Sequence, residues 1–134
     1  MRKRKGFTLI ELMVVILIIA ILVAVVLPAL RRHAYSAKWS EGRSQMGSIA
    51  TALRCYAADK GEDGSYPPSF TELGFESGDL NGVHFVEDNY SIPQASFTAG
   101  GDPELTFTVQ CDKDTLVPTR VTLDESGRWS EIIP

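Results

Sequence analysis

Lys5-Gly6-Phe7-Thr8-Leu9-Ile10-Glu11-Leu12 opens an apolar run that continues to Leu27. No residue from Leu12 to Leu27 is polar, and Pro28-Ala29-Leu30 extends the run. Counted from Phe7 the segment is about 24 residues, and a helix needs roughly 20 to cross a bilayer. The block Arg2-Lys3-Arg4-Lys5 stands directly before it. Such a block stays in the cytoplasm, which predicts a single pass with the carboxyl end outside. Glu11 is the odd member. A charge at the bilayer centre costs about 2.5–3.5 kcal/mol, so this carboxylate needs a partner or a shallow position. A secretory signal peptide has a shorter apolar core and a small-residue cleavage site. A plain signal anchor needs neither Glu11 nor Gly6-Phe7.

Gly6-Phe7-Thr8-Leu9-Ile10-Glu11 resembles the processing and methylation motif of prepilins, the family of type IV pilins and of the pseudopilins of type II secretion. The basic leader, the glycine before phenylalanine and the glutamate five positions after the glycine all coincide. The resemblance covers the first 30 or so residues closely and the remainder in outline. It implies cleavage after Gly6 by a membrane-embedded prepilin peptidase and N-methylation of Phe7. It also implies that Glu11 of an incoming subunit pairs with the Phe7 amine of one already in a filament. Identical or related subunits, an inner-membrane platform and an assembly ATPase are the partners it brings. Physically, an ion pair gains strength in a low-dielectric medium, and a polar group in an apolar seam fixes register. Pairing within one chain, one helical turn apart, is a second option, and a headgroup position for Glu11 a third. Pro28 removes a helix hydrogen bond and predicts a kink. Ala20 stands where many family members carry glycine, which argues against extensive melting of the helix there.

Charge is segregated along the chain. The formal net charge is −4, and loss of Met1–Gly6 would bring it to about −8. After Lys60 the chain carries 14 Asp/Glu against Lys113, Arg120 and Arg128, whereas Arg31 to Lys60 is basic. An acidic head of this kind is not a general nucleic-acid binder, because phosphate contacts need positive charge.

Tyr35, Trp39, Gly42, Met46, Ile49, Leu53 and Tyr56 follow at alternating steps of four and three, which predicts a helical stripe. Gly42 within it admits a close neighbour. Lys60-Gly61 and Pro67-Pro68 stop the helix, and Ser69 with Glu72 reads as a capping pair. Strands are predicted over Val83–Val86, Tyr90–Thr98, Glu104–Cys111, Thr119–Leu123 and Arg128–Ile133. The fold class is therefore α+β: a long amino-terminal helix, membrane-spanning in its first half, packed by its second half on a small antiparallel sheet, a pilin-like roll. The expected divisions are a leader at 1–6, a transmembrane or filament-core helix at 7–30, its amphipathic continuation at 31–60, and a loop with a β head at 61–134.

Cys55 lies near the end of the docking helix and Cys111 ends an inward-facing strand row, so a disulfide would staple helix to sheet; two buried thiols are the alternative. Asp59/Glu62/Asp63, Asp102/Glu104 and Asp112/Asp114 are acidic turns that lack the spacing of a dedicated calcium loop. No cofactor is expected, and calcium is at most a minor possibility. His33 and His84 are isolated, and no nucleophile elbow or phosphate-binding loop is present, which excludes an evident enzyme. The expected function is a structural subunit of a type IV pilus, assembled through the amino-terminal helix after leader cleavage. A type II secretion pseudopilin is the first alternative and a membrane-anchored binding module the second. The expected location is the bacterial inner membrane, then an extracellular pilus or a periplasmic pseudopilus.

Overall fold

The computed structural model describes residues 6–60, 64–65, 68–98 and 104–133. The chain divides into two compact units, one running to Ser36 and one starting at Ala37.

In the first unit, helix α1 begins at Leu9 and every described side chain through Ala34 is exposed. Val and Ile supply ten of the residues from Leu9 to Leu30 and are mediocre helix formers in water. In hydrocarbon they have no alternative, because only a helix satisfies each backbone N–H and C=O within one segment. Leu9 to Leu30 spans about 33 Å at 1.5 Å per residue, close to the hydrocarbon thickness of about 30 Å. Pro28 lies inside α1 without ending it, so one amide donor is missing at that turn.

The second unit contains the remainder of α1, which ends at Lys60, and a five-stranded antiparallel sheet. The strands are β1 (Gly64–Ser65), β2 (Tyr90–Thr98), β3 (Glu104–Asp112), β4 (Arg120–Asp124) and β5 (Trp129–Ile132), in that spatial order. Short connections join β2 through β5, whereas a long connection that includes the Gly82–Phe85 turn separates β1 from β2. Gly127 occupies positive φ in the turn between β4 and β5. The irregular register in β2 falls between Ser91 and Gln94, where Pro93 cannot donate to a ladder.

One face of the sheet presents Tyr90, Ile92, Ala95, Phe107, Val109, Cys111, Val121 and Leu123, all buried. Facing them, α1 buries Trp39, Gly42, Met46, Ile49, Ala50, Leu53 and Ala57. The predicted stripe holds through its middle. At its ends Tyr35 and Tyr56 are only half-buried, and Ala57 takes the last inward place. A straight helix has 3.6 residues per turn, so a 3.5-residue repeat drifts off the buried face.

Two expectations need correction. Val83–Val86 is no strand: Val83 is 86% exposed, and Gly82 N–H donates to the Phe85 carbonyl across a turn, 2.8 Å. Only Phe85 of the four points inward, so the segment has no period-two face to pair. The added strand is β1, pairing Gly64 with Phe97 and Ser65 with Ser96. Cys55 and Cys111 are free thiols, not a disulfide. Cys111 is wholly buried, but Cys55 stands two residues past Leu53 on the helix, which turns it away from the sheet into solvent.

Candidate functional site

Gly6-Phe7-Thr8 precede α1 without regular secondary structure. A β-carbon at Gly6 would meet nothing within 4 Å, and Phe7 is exposed. Among the described residues nothing covers the Gly6–Phe7 peptide. Thr8 caps the helix that follows. Glu11 N–H donates to Thr8 Oγ1 at 3.3 Å, while Thr8 N–H and Thr8 Oγ1–H donate to Glu11 Oε2 at 2.9 and 2.6 Å. This reciprocal arrangement is a capping box, which satisfies two amide donors that the first helical turn leaves bare. It also solves the problem of a carboxylate at the mouth of an apolar helix. One oxygen is saturated by Thr8, and the other, Oε1, has no hydrogen bond among the described residues.

Phe7, Glu11 and Gly6 are thus neighbours at one helix end, whereas Pro28 lies on the same helix about 26 Å further along at 1.5 Å per residue. Cys55 and Cys111 belong to the second unit. Thr8 was the residue the sequence reading passed over. Its signal was legible, since Thr-x-x-Glu directly before an apolar run is the sequence form of a capping box.

A further arrangement in the second unit had no such signal. Glu41 Oε1 accepts the backbone N–H of both His84 and Phe85, at 2.9 and 3.0 Å. Burial pushes the Glu41 pKa up. The two amides, with the charges of His84 and Lys113, outweigh this and hold it below its ordinary value. A β-carbon at Gly82 would collide with the Glu41 carboxylate, so glycine is required there for space. Beside this clamp, Trp39 packs against Phe85 at a tilt of 51° with ring centroids 5.0 Å apart, and its indole N–H donates to the Pro118 carbonyl at 2.9 Å. Arg43 pairs with Glu131 and lies over the Trp129 ring, tying β5 to the helix.

Glu62, Asp63 and Asp102 lie outside the described residues. Asp112 accepts from Arg120 Nε at 2.6 Å and from Gln110 at 2.7 Å. Among the described residues no three His, Cys, Asp or Glu side chains are grouped to hold a metal.

A family profile described as the prokaryotic N-terminal methylation motif matches residues 1–27. Fimbrial protein EcpB of Eikenella corrodens is 46% identical over 61 residues, covering 46% of this chain and 38% of that protein. Type IV major fimbrial protein FimA of Dichelobacter nodosus is 35% identical over 105 residues, covering 75% of this chain and 61% of that protein. The amino-terminal segment of the chain carries the N-terminal methylation motif of the pilin and pseudopilin family. Type II secretion system core protein G of Pseudomonas aeruginosa is also similar, 38% identical over 76 residues, covering 57% of this chain and 50% of that protein. The matched stretch spans less than two thirds of each of these relatives. No solved structure matches the chain significantly. Its apolar helix is a single-pass anchor in the inner membrane, consistent with assembly on the periplasmic or extracellular side.

Proposed function

We propose that this pilin-family chain is a structural subunit of a type IV pilus, assembled through α1 after cleavage between Gly6 and Phe7. The observation that carries the reading is the geometry at the start of α1: an open Gly6–Phe7 peptide one turn from a carboxylate with one oxygen unused. Cleavage would create an amine on Phe7. Glu11 Oε1 of an adjacent copy is the acceptor that this amine needs in an apolar seam, and the pair would set the step between copies. N-methylation of Phe7 retains the positive charge of that amine. Processing requires a prepilin peptidase, and extraction from the bilayer requires a membrane platform driven by an ATPase.

A pseudopilin of type II secretion is the second reading, favoured by the similarity to core protein G. Both readings share cleavage and assembly, and differ in where the filament ends. Intact mass and amino-terminal sequence of protein sheared from cells test the shared part. A chain beginning at methylated Phe7 in the sheared fraction, lost in Glu11→Ala, is expected. A chain still beginning at Met1 and confined to membranes would leave only a tethered acidic domain. Material on intact cells at native expression supports the pilus; a secretion defect without surface filaments supports the pseudopilus.

A further inference from the structure

The first unit carries little charge among its described residues: Glu11 near one end of the apolar helix, and Arg31 and Arg32 at the other, with His33 adjoining. Glu11 is about 30 Å from Arg31 at 1.5 Å per residue and already holds Thr8. Arg31, Arg32 and His33 are exposed, and neither arginine has an ion pair or hydrogen bond among the described residues. The carboxylate of Glu41, the next acid along the chain, is occupied by two amides. Among the described residues these arginines therefore lack a counter-ion of their own. Orientation does not account for them either, since Lys and Arg at the exported end of a span oppose the positive-inside bias.

We propose that Arg31 and Arg32 form a collar that binds the phosphates of anionic phospholipids in the outer leaflet of the inner membrane. This rests on the reading of α1 as a membrane anchor. An apolar stretch from Leu9 to Leu30 of about 33 Å fills the hydrocarbon and puts the next residues at headgroup depth. Guanidinium is the side chain whose fork matches phosphate in two-point hydrogen bonding. Successive residues point about 100° apart on a helix, so the two arginines reach different lipids. Tyr35, half-buried and one turn beyond Arg31, is the amphipathic ring expected at this depth.

The full chain is reconstituted in vesicles of phosphatidylcholine alone or with about a third phosphatidylglycerol. Flotation first reports anchoring; failure to float would sink the anchor reading, whatever the collar does. Spin-labelled phosphatidylglycerol and phosphatidylcholine are then compared for the motionally restricted fraction. The expected result is a several-fold preference for phosphatidylglycerol that weakens with added salt. It is lost in Arg31→Gln/Arg32→Gln and kept in Arg128→Gln, with helicity unchanged in both. Equal restriction of the two lipids, or a preference that survives in the double variant, would overturn the proposal. So would absence of lipid preference together with cross-links from this collar to acidic residues of a second copy.

Discussion

The Phe85 ring rests its tip on Gly42, so that a β-carbon built at residue 42 would lie 3.1 Å from Phe85 Cζ. The helix and the turn at Gly82–Phe85 meet at a spot with no room for a larger residue. Gly42→Val is expected to destabilise the second unit by about 1–3 kcal/mol, the usual range for overpacking. Gly42→Ala should cost less, because alanine recovers about 1 kcal/mol of helix propensity. Thermal or denaturant unfolding in detergent checks both. An unaffected Val variant would mean that Phe85 is not seated on the helix.

Glu41 is a second anchor for the same turn, and its contribution depends on pH. Its folded pKa lies below the ordinary 4.5, so its stabilising effect is complete above that value and fades as pH falls through the lower, folded one. Wild type should therefore outlast Glu41→Gln at pH 6, with the difference shrinking below about pH 4.5 as the carboxylate protonates. Unfolding midpoints measured from pH 6 to pH 3 check the sign. A gap that widened towards acid pH would reverse the assignment.

Gly82 and Glu41 should behave as one unit. Glu41→Ala leaves two amides without their acceptor, a loss of about 1–3 kcal/mol. Gly82→Ala places a β-carbon where the carboxylate sits and so displaces the same interaction. The double variant is expected to lose less than the two single losses combined. Strict additivity in a double-mutant cycle would show that the two residues act separately.

Thiol chemistry separates the two cysteines. Cys55 is exposed, whereas Cys111 is buried and its pKa is pushed up to about 12, chiefly by burial. One alkylation per chain is expected under native conditions and two after unfolding, without prior reduction. Mass spectrometry of maleimide-treated protein reads this directly. Two thiols revealed only by a reductant would restore the disulfide.

What could be read from sequence depended on periodicity and on local spacing. The helix shows itself through its stripe, and the strands Glu104–Asp112 and Arg120–Asp124 through alternating side chains, whereas Tyr90–Thr98 breaks its alternation at Pro93. Gly42 was legible because a glycine in a buried stripe implies a close neighbour, though not that the neighbour is Phe85. Val83–Val86 misled because its apolar content mimics a strand, while a carboxylate 43 residues upstream of His84 decides its shape. Cys55 misled for a related reason: residue 55 is near the stripe in number but 200° from Leu53 in angle, by about 100° per residue. At the start of α1, Glu11 stood out by its polarity and its place in the motif, and Thr8-x-x-Glu11 carried the capping pattern; only the unused Oε1 needed coordinates.

Seventeen large apolar side chains between Leu9 and Leu30 stand exposed on an isolated copy. At about 1.5–3 kcal/mol each, transfer of this helix into water would cost tens of kcal/mol. The dissolved monomer is then a species with almost no population. On the proposed filament reading, a copy can move only between surroundings that touch, from bilayer to a bundle of its own kind and back. Growth and disassembly would therefore respond to the number of copies per area of membrane, rather than to any concentration in the aqueous space around it.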